Sequence, residues 1–137
     1  MQTILASSIR GVDDFLLYLG TALVLLVVFV WIYIHITPYW EIRLIRDGNV
    51  AAACGLSGAI LGFVIPLASA IAHSVAFVDM LLWGAVALVV QLIAFVVARL
   101  IVPSLPTDIP AGKVASGLFV GALALAVGIL NAASMSY

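Results

Sequence analysis

Apolar positions in this chain do not alternate with polar ones. They run on, in four segments: Phe15–Ile36, Val50–Ala72, Met80–Val102 and Val114–Met135, each 22 or 23 residues long. At ~1.5 Å of rise per residue, such a run covers about 33–35 Å, enough to cross a hydrocarbon core of ~30 Å. Backbone groups in lipid must find partners within their own segment, so all four are predicted to be helices. No segment shows the alternation of a membrane β-strand.

The even-numbered segments are also rich in small residues. Gly58 and Gly62 are spaced i, i+4, as are Gly117 and Gly121, and Ala53 and Ser57 take the places in the second helix that Gly117 and Gly121 hold in the fourth. Small residues let helix backbones approach where lipid removes the hydrophobic drive to associate. The stripes predict that the second and fourth helices pack together within one protomer, with homo-oligomer contacts on the same faces in addition.

The two halves of the chain match each other. Gly48-Asn49-Val50-Ala51 aligns with Gly112-Lys113-Val114-Ala115 at an offset of 64, and Asp14, Tyr18 and Pro38 meet Asp79, Trp83 and Pro103 at an offset of 65. The expected fold is an all-α membrane protein of four transmembrane helices. It is a single domain over 1–137, built as two tandem two-helix repeats, about 14–72 and 79–136. Two spans return the chain to its starting side, so the repeats share one orientation and their pseudo-two-fold axis runs along the membrane normal.

Composition agrees with a membrane origin. Only 8% of residues are charged, where a soluble domain carries ~25%, and the mean hydropathy is +1.37. A net charge of −1 points to neither nucleic acid nor an acidic substrate. The lone Cys54 forms no intrachain disulfide and reads as a packing residue. Residues 1–14 lack the pattern of a signal peptide, so the chain is expected to keep its N-terminus. Arg43, Arg46, Arg99 and Lys113 lie in or beside the odd-numbered connections, against Arg10 alone on the other side. The positive-inside rule then puts those connections in the cytoplasm and both termini outside it.

Candidate chemistry is sparse. Pro66 predicts a kink or local unwinding of the second helix, with Ser69 and Asn131 placed to satisfy freed backbone groups. Gln91 is the large polar side chain near the middle of a span. It reads either as interhelical glue, bonding Ser57, Ser116 or an exposed carbonyl, or as the lining of a polar path together with Asn131, Pro66 and Ser69. The stretch Tyr39–Asn49 suits a short interfacial helix ending at Gly48, with Trp40, Glu41, Arg43 and Arg46 as a cytoplasmic docking loop. No carboxylate relay, metal-ligand cluster, nucleophile–base pair or phosphate loop is visible, so no enzyme activity, metal or cofactor is expected.

Several of these residues together carry a resemblance. Ile36-Thr37-Pro38, Gly48-Asn49-Val50-Ala51-Ala52-Ala53, Ser57-Gly58, Leu61-Gly62, Ile65-Pro66-Leu67 and Ser69-Ala70 lead to Trp83-Gly84, Leu88-Val89 and Gln91-Leu92. Gly128-Ile129-Leu130-Asn131-Ala132-Ala133 and Met135 close the pattern. It resembles the YjfL-like inner-membrane proteins built on the domain of unknown function 350. The resemblance implies a bacterial inner-membrane protein with paired two-helix repeats, associated with envelope-stress systems, and brings no biochemical activity. The expected role is a non-enzymatic oligomeric scaffold or docking subunit in envelope maintenance, with membrane lipids, further copies of itself and a cytoplasmic envelope-stress protein as partners. The alternative is a small oligomeric channel or transporter subunit.

Overall fold

The computed structural model describes residues 1–137. It is entirely helical: α1 Gln2–Ile36, α2 Glu41–Arg46, α3 Val50–His73, α4 Phe77–Ile101, α5 Leu105–Asp108 and α6 Val114–Ser134. Helices α1, α3, α4 and α6 are long and apolar enough to span a membrane.

The spans fall where the apolar runs predict them, except at the start. Helix α1 begins at Gln2 rather than near Phe15. Nothing in between breaks a helix: there is no proline, and Gly11 alone costs only ~1 kcal/mol. At ~1.5 Å per residue its 35 residues reach about 52 Å. The first turns therefore run past the bundle, and every residue from Met1 to Leu17 is exposed.

The centre of the molecule is a seam between α3 and α6. Gly117 lies against the backbone of Ala51, Gly121 against Cys54, and Gly128 against Gly62. Residue numbers rise together along both helices, so the two run parallel. The contacts are backbone on backbone: a Cβ on Gly58, Gly62, Gly117, Gly121 or Gly128 would run into main-chain atoms of the facing helix. In lipid, attraction must come from such van der Waals contact and from Cα–H to carbonyl approaches, which only small residues permit.

Helix α4 packs beside the seam. Helix α1 leans on α3 and α4 through aromatic rings. Phe29 stacks on Phe63 at 4.6 Å between centroids, Tyr33 meets Phe95 edge-on at 5.4 Å, and Tyr18 meets Phe77 at 5.9 Å.

Two short helices sit together at one end of the bundle. A short helix lies within Tyr39–Asn49 as expected, α2, and the second connection carries a counterpart, α5. Both connections end in the same turn. After α2, Gly48 N–H reaches Ile45 O (3.0 Å) and Asn49 N–H reaches Leu44 O (2.8 Å). At the second turn, Gly112 N–H reaches Ile109 O and Lys113 N–H reaches Asp108 O, both at 3.0 Å. These are Schellman pairs, and each needs a residue in the left-handed region. Glycine supplies it twice, with φ of 85° at Gly48 and 78° at Gly112.

Candidate functional site

One polar side chain of a span is buried at the seam, and two residues of α3 are arranged around it. Gln91 projects from α4, is 1% exposed, and donates through Nε2 to the carbonyl of Ala124 on α6 at 3.0 Å. Gly62 makes room for it: a Cβ there would sit 2.7 Å from that nitrogen. One turn along α3, buried Pro66 has no N–H, so the Gly62 carbonyl lacks its usual i+4 donor. That carbonyl faces Gly128. Helix α3 runs unbroken through Pro66, with no unwound turn. The structure thus gathers Gln91, Gly62 and Pro66 in one knot that ties α4, α3 and α6.

Not every candidate joins that knot. Ser69 accepts instead from the Tyr137 hydroxyl (3.0 Å), in a cluster where Tyr137 stacks on His73 and meets Trp83 edge-on. Asn131 leaves its buried Nδ2 unpaired, and so does Gln91 its Oε1. Ser57 is exposed and Ala53 half-buried, so these two lie off the seam that Gly58, Gly62, Gly117 and Gly121 form. Ser116, a predicted partner for Gln91, bonds Asp108 instead.

Asp108 is the anchor of the α5 end. Its Oδ2 accepts from Ser104 (2.7 Å) and from Ser116 (2.8 Å), and its Oδ1 lies 3.4 Å from Lys113 Nζ. The Ser104 hydrogen bond first, then Ser116 and Lys113, hold its carboxyl below the usual range. Asn49 spans the two connections. Its Oδ1 caps α3 at Ala52 N–H (2.9 Å), while its Nδ2 donates to Ile109 O at 2.7 Å. Sequence reasoning missed this clasp, because Asp108 and Ser104 read as ordinary loop residues and Ser116 reads as a partner for Gln91 instead.

The predicted docking loop divides. Trp40, Arg43 and Arg46 are exposed, Trp40 by 83%. Glu41 turns inward and is only 2% exposed. Neither carboxyl oxygen has a hydrogen-bond partner. The neighbouring Thr37 hydroxyl aims at the carbonyls of Ile34 (3.2 Å) and Tyr39 (3.4 Å) rather than at Glu41. Burial pushes the Glu41 carboxyl up to about 8, with Thr37 pulling the other way. Burial, and then the proximity of Glu41, likewise raise the Tyr39 hydroxyl, while Arg99 lowers it. A pocket of about 310 Å³ opens here, walled by Glu41, His35, Thr37, Tyr39 and Trp40 among others.

Comparison with known proteins places this arrangement in context. The family model "Domain of Unknown Function (DUF350)" matches residues 4–135. The "UPF0719 inner membrane protein YjfL" of Escherichia coli strain K12 is 44% identical over 120 residues, which is 88% of this chain and 89% of that protein. The protein of the same description from Escherichia coli O157:H7 matches to the same extent. No solved structure matches.

Proposed function

The chain belongs to the DUF350 family, as a multi-pass inner-membrane protein, and from that premise we propose that it is a non-enzymatic scaffold or docking subunit. The observation that carries this reading is the closed seam. Backbone contact between α3 and α6 fills the middle of the protomer and leaves no room there for a path. On the side of its basic connections, the protein offers a soluble partner the α2 and α5 end, where Trp40, Arg43 and Arg46 are exposed. In this reading that end faces the cytoplasm, as its basic residues require, and both termini lie on the other side. A cytoplasmic protein of envelope maintenance docks there, and copies assemble in the membrane.

The two-repeat architecture belongs to the same proposal. Its support is the matching Schellman turns at Gly48 and Gly112, 64 residues apart, and the parallel course of α3 and α6. Two copies of one hairpin, related by an axis along the membrane normal, would place both basic connections together.

A conducting oligomer is the second reading. It is favoured by the unpaired Gln91 Oε1 and Asn131 Nδ2, polar atoms that hydrocarbon does not satisfy. Flux of cations, anions and small solutes into liposomes distinguishes the two. The scaffold reading expects no flux from wild type or from Gln91→Leu, and only a loss of stability in the variant. Flux that the substitution alters would overturn it and make Gln91 part of a path.

A further inference from the structure

We propose that the pocket at the α2 end is a binding site for a primary ammonium group, carried by an ethanolamine lipid headgroup or by a free amine. It holds whether the protein is a scaffold or a channel. The argument begins with Glu41, 2% exposed, whose two oxygens accept no hydrogen bond. A buried carboxyl without donors is an unfavourable arrangement unless a ligand supplies them. Thr37 is the one neighbouring hydroxyl that favours the charged form of Glu41. Thr37 spends its hydroxyl on backbone carbonyls. The Tyr33 and Tyr39 hydroxyls donate no hydrogen bond to Glu41, His35 has its Nδ1 2.6 Å from its own helix at Trp31 O, and Arg43 is exposed to solvent. Arg99 of α4, the remaining cation on a neighbouring element, acts on Tyr39 and forms no ion pair.

The shape and walls of the pocket narrow the ligand. Its volume of about 310 Å³ suits a small headgroup. Tyr39, Trp40 and His35 line it, and aromatic rings attract a cation across their faces. A divalent metal needs several oxygen ligands, and only one carboxylate is present. A quaternary ammonium has no N–H to give. A primary ammonium has three donors, enough for both oxygens and for one more acceptor. The segment Thr37–Trp40 that covers Glu41 is not helical, so admitting a headgroup unwinds no helix. Glu41 releases its proton to water on binding, and the carboxylate then accepts from the ammonium.

The test uses the intact protein in nanodiscs of mixed lipids, with retained lipid counted by mass spectrometry, beside calorimetry with free ethanolamine. Wild type is expected to retain ethanolamine phospholipid about tenfold over choline and glycerol phospholipids, and Glu41→Gln to lose that preference. Free ethanolamine that binds wild type but not Glu41→Gln supports the site with a soluble source. Equal retention of all three lipids with no binding of the free amine overturns the proposal. So does an unchanged preference in Glu41→Gln. Should that variant not fold, the pH profile of wild type decides. The carboxyl must ionise to bind, so preference rises as pH climbs toward about 8, well before an amine deprotonates near pH ~10. A flat profile overturns the proposal.

Discussion

Glycine side chains are absent where this protein needs nothing to be present. A Cβ at position 128 would meet the carbonyl and Cα of Gly62, main-chain atoms that cannot swing aside. Overpacking a core usually costs about 1–3 kcal/mol, and an unyielding backbone puts Gly128→Leu at or beyond the upper end of that range. A thermal melt of the purified variant is expected to show a large loss of stability, or no folded protein at all. The small-residue pattern was legible in the sequence, because spacing alone puts Gly58 and Gly62, or Gly117 and Gly121, on one face. Glu41 was not. A carboxylate in a run with Arg43 and Arg46 reads as one more solvated charge, and only the chain's turn at Thr37–Trp40 decides that it points inward. Gln91 was half legible: its need for a partner follows from chemistry, but the Ala124 carbonyl that meets it depends on how α4 crosses α6.

Elements differ in how firmly they are held. Helix α3 is enclosed on several sides, whereas α1 has three buried residues, Ala22, Phe29 and Tyr33, along 35 positions. Its attachment rests on a few aromatic contacts. Phe29→Ala with Tyr33→Ala is therefore expected to release α1 while leaving the seam intact. The loss should be smaller than the ~3–5 kcal/mol typical per residue of a water-surrounded core, since lipid tails replace part of the lost contact. Disulfide cross-linking in membranes checks it: a Tyr18→Cys with Phe77→Cys pair, in contact across α1 and α4, should form less readily in the double variant. Span positions were readable from apolar run length. The early start of α1 was not, because exposed polar residues such as Gln2, Ser7 and Ser8 carry no apolar signal yet do not oppose a helix. Helix α5 escaped for the opposite reason: four residues are too few to show a period.

For the whole molecule, the seam separates two uses of small residues that spacing cannot tell apart. Gly58, Gly62, Gly117 and Gly121 are consumed inside the protomer, which leaves the exposed Ser57 with the half-buried Ala53 on α3, and the exposed Ala122 and Ala126 on α6, as small-residue faces open to a neighbouring copy. Ser57→Leu is accordingly expected to preserve the protomer's melting temperature and to reduce cross-linked oligomers in membranes. Unchanged cross-linking would mean that copies meet elsewhere, or not at all. Parallel α3 and α6 also require α4 to carry the chain back between them, which explains why α4 lies against both and why its one buried amide reaches across to α6.

That seam also imposes a timetable on biosynthesis. Val114, the first residue of α6, follows Val50, the first residue of α3, by 64 positions. At about 5–20 residues per second, the ribosome finishes α3 at His73, 41 residues before Val114, and so roughly 2–8 s before it can begin to deliver the partner. Throughout that interval the glycine face of α3 stands open to lipid or to the insertion machinery. The nascent chain must therefore wait, already inserted but unfinished, and its last step is the arrival of α6 rather than the burial of anything made earlier.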